Sequence, residues 1–193
     1  MDIFLQLWGG TGYLLAKILL SHAEGLQNDR PWRISGWLAY LAGLPAWVIL
    51  LLGRQNWIAA AIEAGGTPAL LLGLASAWQR RKHFHRFIEW SVTIFTCLMI
   101  ALGISYSAYY FKGITTVSQV LEIGVTIGFL MGSFLLAKKK ASGWLLFALM
   151  LVSMGILMFI QEKIVLVFQQ GISLIFAAAG FVRAVRRKKT LVE

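Results

Sequence analysis

The chain has 193 residues, of which 59% are hydrophobic and 13% are charged. A soluble domain usually carries about 25% charged residues, and the mean hydropathy here is +0.73, so the composition excludes an ordinary soluble protein. The net charge of +10 is compatible with a nucleic-acid partner, but the basic residues form short clusters between apolar runs, which is typical of membrane topology. We therefore expect a multi-pass α-helical protein in a lipid bilayer, with no nucleic-acid partner.

Seven apolar segments are long enough to cross the hydrocarbon core of a bilayer, which takes about 20 residues. They cover residues 3–20, 36–53, 56–78, 87–110, 119–137, 142–160 and 163–183. The N-terminal MDIFLQLW has no basic region and no cleavage site, so it is expected to belong to the first span and not to a signal peptide. The connections RQN (54–56) and QEK (161–163) predict tight antiparallel hairpins.

The basic residues favour one side of these predicted spans. The loops on that side contain Arg30, Arg33, Arg80, Arg81, Lys82, Arg86, Lys138, Lys139, Lys140, Arg183, Arg186, Arg187, Lys188 and Lys189. The loops on the other side contain only Arg54, Lys112 and Lys163. The positive-inside rule therefore predicts a cytoplasmic C-terminus and an N-terminus outside.

The tetrapeptide SGWL occurs at Ser35–Leu38 and again at Ser142–Leu145, an offset of 107 residues. Without gaps, this offset aligns residues 35–82 with 142–189, and GYLLAKILL (12–20) upstream resembles GFLMGSFLL (128–136). The identical pairs include Ile49/Ile156, Leu50/Leu157, Gly73/Gly180, Ala77/Ala184, Arg80/Arg187 and Lys82/Lys189. We therefore expect a three-helix repeat in 1–82, a linking transmembrane helix in 83–112, and a second three-helix repeat with a basic cytoplasmic tail in 113–193.

This plan of three, one and three helices predicts a parallel repeat around an axis along the membrane normal. Internally repeated membrane folds are mostly transporters, with a substrate site near the midplane between the repeats. A transporter of this kind needs neither a cofactor nor a metal, and the single cysteine, Cys97, provides no Cys-based metal site.

The two repeats also resemble the PnuC family of bacterial vitamin transporters. The first repeat contains Gly36-Trp37-x-x-Tyr40, Arg54 at the turn, Gly73 and Trp78, and the second contains Gly143-Trp144-x-x-Phe147 and Gly180. The family pattern begins with Asn where this chain has Gly, and a deeper Asn of the family falls at Leu44 and Leu151. The resemblance implies non-enzymatic uptake of nicotinamide riboside, thiamine or riboflavin across the bacterial inner membrane, retention by cytoplasmic phosphorylation, and a homotrimer.

Aromatic residues on the second span of each repeat are candidates for substrate binding. Trp37, Tyr40 and Trp47 share one helical face, and Trp144 and Phe147 occupy the matching face of the other copy. Their rings can stack on a flat heterocycle and attract a cation. The alternatives are an interfacial aromatic belt for Trp37 and Trp144, and plain packing for Tyr40 and Trp47.

Polar residues on the third span are stronger candidates. Asn56, Glu63 and Thr67 share a face, and an ionisable group inside a membrane indicates a functional site. The residue equivalent to Glu63 is Gln170, beside Gln169 and one turn before Ser173, so we expect a shared central site in which Glu63 neutralises a cationic substrate. In the alternative, Glu63 is protonated and bonds a neighbouring helix, or it pairs with Lys17.

Gly65, Gly66 and Pro68 follow Glu63 and weaken the third span as a helix. A kink there can act as the hinge of alternating access, whereas the alternative is close packing of small residues. Near the end of another span, Glu122 is expected to reach water.

Two other classes of function remain open. A sugar carrier of the SWEET type uses the same helix count, but that family has Pro-Gln in the first helix of each triplet and this chain has no such dipeptide. A membrane assembly protein is the other alternative. We do not expect an enzyme, because convergent His, Asp or Cys residues are missing at membrane depth.

Overall fold

The computed structural model describes residues 2–24, 26, 28–79 and 86–190. The basic cluster Arg80, Arg81 and Lys82 and the predicted boundary between residues 82 and 83 lie outside the described residues.

The described part of the chain forms eight α-helices and no other regular element. These are α1 (Asp2–Ala23), α2 (Arg30–Leu52), α3 (Trp57–Gly65), α4 (Thr67–Gln79), α5 (Arg86–Phe111), α6 (Val117–Ala137), α7 (Ser142–Ile160) and α8 (Ile164–Thr190). Helices α3 and α4 together form one span, so the described residues contain seven helical spans long and apolar enough to cross a membrane. The expected all-α class and the number of spans are confirmed.

Helices α2 and α8 extend furthest beyond their predicted apolar segments. Helix α2 begins at Arg30 instead of residue 36, with Pro31 in its first turn, where the fixed φ of proline favours helix initiation. Helix α8 continues to Thr190 instead of ending near 183, because Arg and Lys are good helix formers once the apolar run has ended.

The two predicted hairpins are confirmed, and their turns have the same geometry. Gln55 and Glu162 have φ values of 59° and 58°, the left-handed conformation that commonly ends a helix. The next amide donates to the carbonyl five residues earlier in each case, from Asn56 N to Leu51 O at 3.0 Å and from Lys163 N to Met158 O at 2.9 Å. These paired residues differ by the same offset of 107 that relates the two SGWL copies.

Helix packing places α5 at the edge of the bundle. Helix α1 packs along α2, α6 along α7 and α7 along α8, while α2 contacts both α3 and α4. These contacts define two groups of helices, a first group of α1 to α4 and a second group of α6 to α8. Contacts of α1 with α8, and of α6 with α3 and α4, join the two groups. Helix α5 packs mainly on α3, and its buried residues are Gly103 and Ser107.

Small residues allow the closest helix crossings. A Cβ atom added to Gly12 would lie 2.8 Å from the Cα atom of Gly43, and one added to Gly128 would lie 2.6 Å from the amide nitrogen of Met150. Backbones that approach this closely are typical of packing between membrane helices. These contacts fix α1 against α2 and α6 against α7.

The third span is interrupted where the sequence predicts a weak point. Helix α3 ends at Gly65 and α4 begins at Thr67, and Pro68 cannot donate a helical hydrogen bond. Thr96 of α5 donates to the free carbonyl of Gly65 at 3.2 Å, and the Phe129 ring of α6 occupies the space where a Gly66 side chain would lie. The interruption is therefore held in place by two neighbouring helices, and its role as a hinge stays a prediction.

Candidate functional site

Glu63 lies on α3, one turn before this interruption, and is 1% exposed. The Tyr13 hydroxyl of α1 donates a hydrogen bond to Glu63 Oε2 at 2.5 Å. Glu63 therefore makes a hydrogen bond with a neighbouring helix, which is one part of the alternative from the sequence, while the protonation of Glu63 stays a prediction.

Lys17 lies one turn after Tyr13 on α1 and is fully buried. Its ammonium group donates to the Tyr13 carbonyl at 3.4 Å and lies 5.0 Å and 5.2 Å from the ring centroids of Tyr13 and Tyr40. The Tyr13–Glu63 hydrogen bond places an acidic side chain in the same cluster. A cation is therefore present on the aromatic faces, as the sequence predicts for a substrate, but it belongs to the protein itself.

Tyr40 is where rings from four helices meet. Its ring centroid lies 4.3 Å from that of Tyr13 on α1, 5.8 Å from Phe129 on α6 and 6.3 Å from Phe147 on α7. Trp47 adds to the same wall, with its ring 5.4 Å from Tyr13. Three predicted site residues, Tyr40, Trp47 and Phe147, thus lie in one aromatic cluster with Tyr13, the hydrogen-bond partner of Glu63.

Trp37 and Trp144 do not form an interfacial belt, and that alternative is wrong for both. Each is 1% exposed. Trp37 packs on Gly73 and Trp144 packs on Gly180, where an added Cβ would lie 2.6 Å from the indole ring in both cases. Trp37 therefore packs α2 against α4, and Trp144 packs α7 against α8.

Gln169 and Gln170 form a separate polar pair on α8. Gln170 Nε2 donates to Gln169 Oε1 at 3.2 Å, and Gln169 Nε2 donates to Ser173 Oγ at 3.4 Å. Gln169 lies against Gly10 of α1, while Gln170 faces Gly155 of α7. The hydrogen bonds described here join Glu63 to α1 and the glutamines to one another, so a single site shared by Glu63 and Gln170 stays a prediction.

The remaining predicted residues lie away from the Tyr13–Glu63 hydrogen bond. Asn56 precedes α3, and its Oδ1 accepts from Gln161 Nε2 at 3.0 Å, which joins the two hairpin turns. Thr67 is half-buried as the first residue of α4. Asn56 therefore acts at one end of the bundle, whereas Thr67 follows the interruption directly.

The sequence interpretation missed the role of Glu122. Instead of reaching water, this residue is 1% exposed, and its Oε2 accepts from the Ala59 amide at 2.9 Å. The first amides of a helix lack partners within the helix, so Glu122 of α6 caps the start of α3. The sequence interpretation includes Lys17 only as a pairing partner of Glu63. The signal that indicates Glu63, an ionisable residue within an apolar run, also applies to Lys17.

Several buried polar atoms near these residues have no hydrogen-bond partner within the described part of the chain. They are Tyr40 Oη, Trp47 Nε1, Ser133 Oγ, Trp144 Nε1, Gln170 Oε1 and Asn56 Nδ2. Buried polar groups in folded proteins usually have a partner, and each exception needs an explanation. Unused donors and acceptors beside a buried acidic and a buried basic side chain are what a solute-binding site provides.

Ion pairs cross the end of the bundle where α1 joins α2 and α6 joins α7, here called the basic end. Arg33 contacts Glu24 at 2.9 Å and Asp29 at 3.0 Å, and Lys139 contacts Asp29 at 2.8 Å. Partial burial raises the pKa of Asp29, but the hydrogen bonds from Lys139 and Arg33 outweigh it and lower the pKa to about 2. Asp29 is therefore a charged link between the two groups of helices.

Comparisons with known proteins give no family for this chain: no family model, no curated protein and no solved structure matches it. The resemblance to the PnuC family rests on the short motifs quoted above.

Proposed function

We propose that this chain is a membrane transporter that facilitates uptake of a small heterocyclic vitamin or nucleoside precursor, such as nicotinamide riboside, thiamine or riboflavin. The observation that carries this proposal is the buried cluster of Glu63, Tyr13 and Lys17, walled by aromatic rings within apolar helices. Two ionisable side chains inside a membrane bundle are costly and mark a pathway or binding site. Aromatic walls suit a flat ring.

The helix contacts support a repeat of three, one and three helices. In the first group α1 packs on α2 and α2 on α3 and α4, and in the second α6 packs on α7 and α7 on α8. The contacts between groups have the same relation, because α1 meets α8 and α6 meets α3 and α4. The matched Trp37–Gly73 and Trp144–Gly180 contacts add side-chain support.

Alternating access is the mechanism that we infer from this arrangement. Asp29 and Lys139 join the two groups at the basic end, and Asn56 and Gln161 join them at the opposite end. Opening one link while the other stays closed would expose the central cluster to one side at a time. The interruption at Gly66, one turn after Glu63, would serve as the hinge of such a motion.

The proposal also includes sidedness and assembly. With the basic end in the cytoplasm, the N-terminus lies outside and the C-terminus inside the bacterial inner membrane. A homotrimer is proposed from the resemblance alone.

The test is uptake of labelled nicotinamide riboside, thiamine and riboflavin by cells that lack their own salvage uptake. Cells expressing the chain should accumulate at least one of the three above empty-vector cells. Glu63→Ala should reduce that uptake at least about tenfold, the effect of losing a charged hydrogen-bond partner. Glu162→Gln, at an exposed turn, is the matched acidic control and should transport normally.

Uptake of none of the three compounds would contradict the proposed function. Equal uptake by Glu63→Ala and the parent chain, at equal amounts in the membrane, would contradict the role of Glu63.

A further inference from the structure

Several buried hydrogen-bond donors in the cluster around Tyr13 are unused among the described residues. An ammonium group has three donors, and Lys17 uses one of them in a long bond of 3.4 Å to the Tyr13 carbonyl. Tyr40 Oη and Trp47 Nε1 are buried without a partner among the described residues. The Tyr13 hydroxyl has already used its proton on Glu63.

These donors surround a single aromatic ring. Tyr40 and Trp47 lie on the Tyr13 ring, with centroid distances of 4.3 Å and 5.4 Å, and the Lys17 ammonium lies above the Tyr13 and Tyr40 rings. The three side chains that carry these donors therefore belong to one cluster. What these groups lack is an acceptor.

The cluster contains one acidic and one basic side chain, Glu63 and Lys17, whose formal charges cancel. Glu63 also has a hydrogen bond from Tyr13. A cationic ring would add a second positive charge to a buried site, where like charges repel most strongly. An uncharged ring with carbonyl oxygens would supply the acceptors without changing the charge.

We propose that Lys17, Tyr40 and Trp47 bind the carbonyl oxygens of an uncharged planar heterocycle, and that Lys17 determines this specificity by excluding cationic rings. This inference rests on the proposed transport function and narrows its substrate class. It also assigns roles to the unpaired atoms of Tyr40 and Trp47, which packing alone leaves without a purpose.

The experiment uses the purified full-length chain in liposomes and three labelled probes. Riboflavin has an uncharged ring with carbonyl oxygens, whereas thiamine and nicotinamide riboside have cationic rings. At equal concentrations, riboflavin should enter at least about tenfold faster than either cation, as one or two well-placed hydrogen bonds allow. Lys17→Met should lower riboflavin uptake about tenfold and raise the ratio of thiamine to riboflavin uptake, because Glu63 then lacks its cation.

Two milder variants keep the test decisive if Lys17→Met fails to fold. Tyr40→Phe and Trp47→Phe remove a donor but keep a ring, and each should lower riboflavin uptake several-fold, about the effect of one neutral hydrogen bond, without changing thiamine uptake. Lys112→Met, at an exposed turn, is the matched control for Lys17→Met and should change neither.

The outcomes separate this inference from the proposed function. Faster uptake of thiamine or nicotinamide riboside than of riboflavin overturns the acceptor assignment and leaves the transport function intact. An equal loss of all three probes in Tyr40→Phe and Trp47→Phe shows a structural role only and also overturns it. Uptake of no probe overturns both.

Discussion

The two helix groups share a framework but differ in what fills it. In each group a Trp of the second span packs on a Gly of the third. The turn between those two spans contains a residue with left-handed backbone, Gln55 in the first group and Glu162 in the second. When GYLLAKILL is aligned with GFLMGSFLL and the SGWL offset is kept, the first group has Lys17, Tyr13, Tyr40 and Glu63 where the second has Ser133, Phe129, Phe147 and Gln170. The second set contains no group that is charged at neutral pH.

This difference separates residues that maintain the fold from residues that give the bundle its chemistry. Ser133 and Gln170 occupy the positions of Lys17 and Glu63, which shows that uncharged residues are sufficient for packing at these two positions. A buried ion pair is rarely more stable than well-packed apolar residues of similar volume. Packing and stability alone therefore do not explain the acidic and basic residues of the first group.

The largest effect is expected from breaking the charged set. Glu63→Leu leaves the Lys17 ammonium buried without its counter-charge, which should lower the free energy of unfolding by about 3–5 kcal/mol. Gln170→Leu removes a neutral amide from the equivalent position and should cost about 1–3 kcal/mol. Denaturant unfolding in detergent, followed by circular dichroism, measures both.

The double variant Glu63→Leu/Lys17→Met sharpens this prediction. Removing both charges should recover most of the lost stability, because no unpaired charge remains, while uptake stays lost. Equal destabilisation by Glu63→Leu and Gln170→Leu would contradict the proposed difference between the groups.

The next effect tests what the groups share. Gly73→Ala and Gly180→Ala each place a Cβ against a rigid indole ring, and each should lower the free energy of unfolding by about 1–3 kcal/mol. Gly171→Ala is the control, since a Cβ there meets nothing within 4 Å and should stabilise helix α8 by up to about 1 kcal/mol. Tolerance of alanine at only one of the two Trp contacts would show that the framework is not shared.

The seven spans were predictable because the length of an apolar run is set by the thickness of the bilayer. The identical pair Gly73/Gly180 also indicated that Trp37 and Trp144 are buried, because a glycine at the same position of both repeats leaves room for a large ring. The positions of Lys17 and Glu122 were not predictable to the same degree. Lys17 lies over the Tyr40 ring of α2, and Glu122 accepts from the Ala59 amide of α3. A local sequence pattern does not specify which helices pack together.

A smaller effect concerns Glu122, which has Gln6 at the equivalent position in the first group. Glu122→Ala removes the acceptor of the Ala59 amide and should cost about 0.5–2 kcal/mol, the usual range for a lost helix cap. Hydrogen exchange at the Ala59 amide should increase, while exchange in α8 stays unchanged. Uniform loss of protection in both helices would contradict a local capping role.

The smallest effect is expected at the basic end, where the charged contact joins the two groups. The pKa of Asp29 is lowered in the folded protein from its ordinary value of 3.8 to about 2, so the folded state favours the ionised form. The stability that Asp29 contributes is therefore present above about pH 4 and is lost as the pH falls through about 2.

Asp29→Asn should remove this component, with a loss of at most about 1 kcal/mol because Lys139 is partly exposed. Unfolding temperatures of the parent chain and the variant should differ at pH 5 and converge toward pH 2. A constant difference across that range would show that Asp29 acts through packing, and that the link between the groups is not ionic.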